Sequence, residues 1–393
     1  MEYPSKIWKH GGATLANNLL MLIKQAWKKG TVPQEWKNAN IVTIYKKGDR
    51  TLCGNYRGIS LLSIAGKAFA RILLNRLNAH ITPEVVPESQ CGFRSNRSTV
   101  DMIFCLRQLQ EKCIEHNRPL YVVFVNFTKA FDTVGRTGLW QLLKKYGCPE
   151  KFTKMIKSLH TGMTAKVKEA AKTKTTQILA RELLFVDDSA LVAHTPEQMQ
   201  RVLDAFSSAS KRFGLQINIK KTEVLFQPSS THIVEEDILV DGTALNRVAD
   251  FTYLGSTISD DAHIDQEKSW TLYRSQVKKL HTFMMRHLQQ IMRSNWQDRV
   301  TNKEILHRAD LPSMEDLLIR KNLRWTGHII RMPTDRLPRQ LLFSQLPVGE
   351  RKIGRPRLRY KDTIKRNLKK REINIKTWTT LAYQRAKWRS AVK

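Results

Sequence analysis

Seven consecutive residues, Tyr121–Phe127 (YVVFVNF), constrain the chain most. All are apolar except Asn126, and three are valine. A β-branched, nearly continuous apolar run predicts a strand buried on both faces, and therefore central in its sheet. The segments around it have helical periodicity. Ala13–Gly30 repeats apolar residues at helical spacing and stops at a glycine. Ile64–Ile81 ends before Pro83, and Ser98–Asn117 opens with Ser98 and Asp101 at capping-box spacing. Lys129–Gly147 reads as one helix, and Thr195–Gly214 has an N-cap threonine, Pro196 in the first turn and a glycine stop. Ala39–Arg50 reads as a strand running into a basic turn, and Gln216–Phe226 as another strand. Asp237–Asn246 reads as a hairpin turning at Asp241-Gly242. Glu182–Thr195 reads as two short strands around a carboxylate turn. The expected class is α+β, followed from about Thr271 by basic helices.

The formal net charge is +32 over 393 residues. A field of that size attracts polyanions and releases counterions from a phosphate backbone on contact. A ribosomal or histone-like basic protein without chemistry fits the charge equally well. With 41% apolar residues the chain can still bury a sizeable core. Arg351–Lys393 carries 16 Lys/Arg against Asp362 and Glu372, which suggests a separate basic tail. Cys53, Cys91, Cys105, Cys113 and Cys148 are odd in number and contain no Cys-x-x-Cys pair, against a disulfide framework or a zinc knuckle. Cys105, Cys113 and His116 could share a helix side as metal ligands or, more simply, as buried groups. No apolar run approaches the roughly 20 residues of a membrane span, and the N-terminus lacks an apolar signal core. The expectation is therefore a chain of the nucleus or cytoplasm, not secreted and without a membrane partner.

Phe185–Asp188 (FVDD) is the sharpest local signal. Adjacent carboxylates between apolar flanks repel each other, and a divalent cation compensates them. Magnesium takes oxygen ligands and is usually completed by substrate phosphates. Two such ions can activate an attacking hydroxyl and stabilise a leaving group. The plain alternative is a solvated hairpin turn.

FVDDSALVAHT resembles the catalytic turn of reverse transcriptases, specifically those of LINE-like (non-LTR) retrotransposons. VVFVNFTKAFDTV (Val122–Val134) is similar to the family's first carboxylate strand, with Asn126 where a metal-binding aspartate is expected. Four more segments resemble the family in order: Asn38–Leu77, Gln90–Phe104, Gly214–Leu225 and Phe251–Ser259, the last as the primer-grip hairpin. The resemblance implies Asp187 and Asp188 as ligands of Mg²⁺ or Mn²⁺. It implies Phe131 as the ring that screens the sugar 2′ position, and Arg94, Arg97 and Lys221 as phosphate contacts. It also implies an RNA template and a DNA primer or target as partners. Asn126 offers one neutral oxygen and no charge, so the expected enzyme is an impaired or inactive RNA-directed DNA polymerase. Asp132, six residues further on, is expected to lie beyond the strand and not to substitute. A non-catalytic RNA- or DNA-binding derivative is the alternative.

The pattern breaks at two places. Between Ser158–Met163 and the aspartate pair the family carries a Gln-Gly box with a Ser-Pro and a helix, and neither dipeptide occurs here. A second seam falls near Glu267 and Lys268, where part of a thumb would lie. The family's upstream endonuclease domain is also not expected in this chain. The match resumes in Asn295–Pro333 and Gly354–Asp362. In the latter, Arg355, Arg357 and Arg359 are candidate nucleic-acid contacts, and GRPR also invites a minor-groove hook reading. Trp378 and Trp388 could stack on bases or pack a small helical core. The resemblance implies a truncated right-hand polymerase: residues 1–120 fingers-like, 121–260 palm remnant, 261–350 partial thumb and helical region, 351–393 basic C-terminal tail.

Overall fold

A computed structural model of the chain describes residues 10–46, 48–49, 51–52, 55–81, 85–128, 130–168, 188–229, 236–260, 274–293, 300–346 and 359–393. In chain order the strands are β1 (Ala39–Tyr45), β2 (Tyr56–Leu62), β3 (Leu120–Asn126), β4 (Ala165–Lys168), β5 (Asp188–Ala193), β6 (Glu223–Gln227), β7 (Leu239–Val240), β8 (Thr243–Ala244), β9 (Asn246–Arg247), β10 (Asp250–Tyr253) and β11 (Ser256–Ser259). The chain is a mixed helix-and-sheet protein that divides into two compact, discontinuous units. One comprises residues 1–87, 131–181 and 212–215. The other comprises 88–130, 182–211 and 216–393.

The first unit holds a three-stranded sheet of order β2-β1-β4, with β1 antiparallel to β2 and parallel to β4. Its core is Ala26, Trp36, Phe69, Leu73, Leu143, Phe152 and Met155, contributed by the helices Gly12–Lys29, Gln34–Lys37, Ile64–Ile81, Arg136–Lys145 and Glu150–His160, with Val32 from the link between the first two. The helix expected as one piece over 129–147 is two, Ala130–Thr133 and Arg136–Lys145. The break has a local cause. Gly135 donates its N–H to the Phe213 carbonyl at 2.7 Å, and a Cβ there would lie 3.2 Å from the same oxygen.

The second unit contains a four-stranded sheet of order β5-β3-β6-β9. β3 is its central antiparallel strand, as the YVVFVNF run predicts, and is buried from Leu120 to Val125. Alternate residues serve opposite faces. Tyr121, Val123 and Val125 meet Met199 and Leu203 of the helix Pro196–Arg212. Val122 and Phe124 face Leu106, Tyr253 and Ile258. The helix Thr99–Glu115 begins with the expected capping box between Ser98 and Asp101. Gln216–Phe226, expected as a single strand, is a 3-10 turn at Ile219–Lys221 followed by β6. The Asp241-Gly242 turn is present, with both residues at positive φ (52° and 77°), the geometry that matches the twist of a two-residue hairpin.

The C-terminal helices form one core. Ile319, Leu323, Ile329 and Ile330 of Met314–Arg331 pack with Tyr360, Ile364, Leu368, Ala382, Trp388 and Val392. From Arg359 onward the segment expected as a separate basic tail is therefore part of this core rather than an appendage. Trp388 is buried and donates its indole N–H to the Leu323 carbonyl at 3.1 Å, so core packing is what it does. It lies against Gly327, where a Cβ would come within 2.1 Å of Nε1. The cysteines Cys91, Cys105, Cys113 and Cys148 are buried free thiols. Burial pushes the Cys113 thiol up to about 12 and raises Cys105 as well. Among the described residues, no helix is long and apolar enough to cross a membrane.

Candidate active site

The antiparallel pairing of β3 with β5 sets Asn126 directly opposite Asp188. Opposed residues of such a pair have Cβ atoms about 4.5–5.5 Å apart on one face, and magnesium–oxygen bonds are about 2.0–2.1 Å. One oxygen from each side chain can thus reach a single ion. The site offers one carboxylate and one amide there. Asp187 lies outside the described residues, as do Phe185 and Val186 and the first of the two strands expected around the turn. Among the described residues, no group of three or more His, Cys, Asp or Glu converges.

The backbone of Asn126 is held on both sides. Its N–H donates to the Thr222 hydroxyl at 3.2 Å, and its carbonyl accepts from the Asn218 N–H at 2.7 Å. Thr222 in turn donates to the Asn218 carbonyl at 3.0 Å. The turn that does this carries Lys221 at its end, with the side chain exposed. Sequence reading missed Asn218 and Thr222. Their only signal was a threonine before an apolar run, which the single-strand reading absorbed.

The face that carries Asn126 and Asp188 also carries Phe124, Ala190 and Val192, and the hairpin β10–β11 covers it. Phe124 and Phe251 stack at 4.0 Å with planes 11° apart, and Tyr253 lies 5.3 Å from Phe124. Burial, and then the nearby charge of Asp188, raises the Tyr253 phenol. The hairpin turns at Leu254-Gly255, both at positive φ. It is fixed to the helix Thr99–Glu115 by Arg107, which donates to the Thr257 carbonyl at 2.8 Å, and by Gln110, which donates to the Ser259 carbonyl at 2.9 Å.

The remaining sequence candidates are not gathered here. Arg94 and Arg97 both meet Glu88, at 3.6 and 2.8 Å. Arg336, only 4% exposed, bridges Glu88 at 2.6 Å and Asp101 at 2.9 Å. The two arginines expected at phosphates are thus engaged in an ion cluster whose centre, Arg336, no local pattern announced. Phe131 belongs to the first unit, with its ring 54% exposed, and nothing is described of the Asp132 side chain. Arg355 and Arg357 lie outside the described residues. Arg359 is committed to Asp362 and Glu115, at 2.9 and 3.0 Å, and hydrogen bonding to Asp362 raises its already high pKa.

An acid thus stands at the end of a central antiparallel strand pair, backed by an aromatic hairpin. The reverse transcriptase (RNA-dependent DNA polymerase) family matches residues 44–181. A probable RNA-directed DNA polymerase from transposon BS of Drosophila melanogaster is 36% identical over 115 residues, covering 29% of this chain and 13% of the relative. A putative 115 kDa protein in the type-1 retrotransposable element R1DM of the same organism is 31% identical over 151 residues, 37% of this chain and 14% of the relative. The chain thus spans about a seventh or less of these two relatives. It carries a match to the reverse transcriptase domain, and the relatives it resembles are proteins of non-LTR retrotransposons. A putative uncharacterized transposon-derived protein of Caenorhabditis elegans, 22% identical, aligns over 268 residues, 94% of its length but 54% of this chain. That alignment is longer than the share of this chain it occupies, so tens of its positions have no counterpart here. A telomerase from Candida tropicalis aligns over 99% of this chain and 68% of its own, at 13% identity and a TM-score of 0.39, too slight a likeness to define a fold.

Proposed function

We propose that this chain descends from an RNA-directed DNA polymerase and keeps its nucleic-acid-handling scaffold with impaired nucleotidyl transfer. The observation that carries the reading is the cross-strand pairing of Asn126 with Asp188. Asp187 and Asp188 would hold the cation, and Asn126 would lend a carbonyl oxygen. Bound Mg²⁺ or Mn²⁺ would supply charge stabilisation for the attacking and leaving oxygens of an in-line displacement. The chain's own part is to present two anionic ligands where three are expected, and losing one preorganised electrostatic group typically costs about two to three orders of magnitude in rate. Lys221, exposed beside the Asn126 backbone, would meet nucleotide phosphates. Arg94 and Arg97, aligned by Glu88, would offer their remaining N–H groups to the template or nucleotide. Phe131 would screen the sugar.

The partners in this reading are an RNA template and a DNA primer or target, in the nucleus or cytoplasm. The palm would be a truncated one. The absence of Gln-Gly and Ser-Pro supports a lost box, and so does the excess of alignment length in the nematode relative. Primer extension by the purified full chain with Mg²⁺ or Mn²⁺ tests the proposal, and little or no product is expected. Robust synthesis that disappears in Asp187→Ala would refute the impairment. The neutral amide at 126 also favours a second reading, a non-catalytic RNA- or DNA-binding protein. It predicts salt-sensitive binding that Asp187→Ala leaves unchanged.

A further inference from the structure

The C-terminal core presents a cationic face that the polymerase reading leaves unused. On the helix Met314–Arg331, Lys321, Arg324, His328 and Arg331 follow one another at spacings of three, four and three residues. At 100° per residue they share one side of the helix and extend over about 15 Å. Arg385, at the start of the helix Arg385–Ala391, adds to them. Burial, and then the charge of Arg385, pushes the Arg331 guanidinium down. Burial and Arg331, Arg336 and Arg385 push the His328 imidazole down, against the opposing pull of Asp101.

The two acids in the first turn of this helix are engaged elsewhere. Asp316 pairs with Arg320 at 2.8 Å and with Arg371, and Glu315 pairs with Lys370. Among the described residues, none of Lys321, Arg324, Arg331 or Arg385 is paired with a carboxylate. Crowding cations without acids opposes folding, and a bound polyanion relieves it.

An aromatic group stands beside the cations. Tyr383 is 52% exposed. Arg339 donates to its hydroxyl at 2.6 Å and lies 5.8 Å from its ring centroid. Arg331 donates to the carbonyl of the adjacent Ala382 at 2.6 Å. The ring is thus held in place at the edge of the cationic stripe. Charges that track a backbone next to a fixed exposed ring are what single-stranded nucleic acid requires, phosphates on the one and a base stacked on the other.

We propose that this face binds single-stranded RNA or DNA, with Lys321, Arg324, Arg331 and Arg385 along the phosphates and Tyr383 under a base. At about 3.4 Å of rise per nucleotide in one strand, 15 Å of stripe spans about four nucleotides. The proposal does not rest on any property of the palm, because it concerns a site built wholly within residues 314–393.

The test is fluorescence anisotropy of a labelled 20-nucleotide oligo(dT) or oligo(U) with the full chain across a salt series. Arg324→Gln with Arg385→Gln should lower affinity roughly twentyfold at 0.1 M salt and reduce the salt slope by about 1.4, at about 0.7 per lost contact for single strands. Tyr383→Leu should weaken binding roughly tenfold and leave the slope unchanged. Lys24→Gln with Lys28→Gln, two exposed lysines of the helix Gly12–Lys29, removes the same charge and should change affinity less than threefold. Unchanged melting temperatures show that each variant is folded. Equal weakening by both charge pairs means diffuse attraction and overturns the proposal, as does an unaltered Arg324/Arg385 variant. If phosphatidylserine vesicles bind this face and oligonucleotide does not displace them, the partner is a membrane surface and the proposal also fails.

Discussion

At the scale of single residues, Asn126 and Asp188 decide what the sheet can do. An aspartate at 126 would face Asp188 directly across the ladder, and like charges in that position destabilise by roughly 0.2–1 kcal/mol. The amide removes that repulsion and, in the proposed reading, a charge that would hold a cation. Asn126→Asp should therefore melt a few degrees below the parent in EDTA and regain or exceed its melting temperature in millimolar Mg²⁺, with a smaller magnesium effect on the parent. Differential scanning fluorimetry with and without the cation reads this. A variant indifferent to magnesium would mean that residues 126 and 188 share no ion. The strand that ends at Asn126 was legible in YVVFVNF. The grip of Asn218 and Thr222 on its backbone was not, because a 3-10 turn of Ile219–Lys221 carries no apolar period of its own.

At the scale of elements, sequence signals were most reliable where both partners are local. The capping box at Ser98 and Asp101, the glycine at 30 with φ 71° and the Asp241-Gly242 turn all lie where the spacing puts them. Ser98→Ala removes the hydroxyl that accepts from the Asp101 N–H, and a lost N-cap typically costs about 1 kcal/mol. Urea unfolding should show a lower midpoint with an unchanged slope. The same helix carries a pH-dependent element. Glu111 accepts a hydrogen bond from the Tyr360 N–H at 2.8 Å. Burial raises its carboxyl to about 7, opposed by that hydrogen bond, with Glu115 adding to the rise. An unfolded glutamate releases its proton near 4.5, so between 4.5 and 7 the folded state holds the extra proton. Stability conferred by the protonated group is full below 4.5 and declines as pH rises through 7. Glu111→Gln keeps an oxygen for Tyr360 and cannot ionise. It should match the parent near pH 5 and melt a few degrees higher at pH 8, and equal melting curves at both pH values would remove Glu111 from the account.

At the scale of the whole molecule, long-range ionic order was the part that sequence reading could not reach. Arg336 lies 235 residues from Asp101 in the chain, yet it donates to that carboxylate, to the Asn96 carbonyl at 2.8 Å, and meets Glu88. The segment 88–101, with Phe93 and Asn96 at positive φ, is thereby fastened to the helical C-terminal region within one unit. Burial pushes the Asp101 carboxyl up although Arg336 is beside it, so the cluster is poised between pairing and desolvation. Removing one partner from a buried pair costs about 3–5 kcal/mol, because the other charge stays behind uncompensated. Arg336→Met should thus lower stability by roughly that amount and loosen 88–101 first, since Arg94 and Arg97 would then share Glu88 without the third guanidinium. Limited trypsin digestion should show early cuts after Arg94 and Arg97 in Arg336→Met that the parent resists. Pairing the change with Asp101→Asn, while Glu88 keeps Arg94 and Arg97, should recover much of the loss, because the Asp101 charge is then no longer stranded. If the double variant is no more stable than Arg336→Met alone, packing around the arginine stem rather than its charge holds the segment.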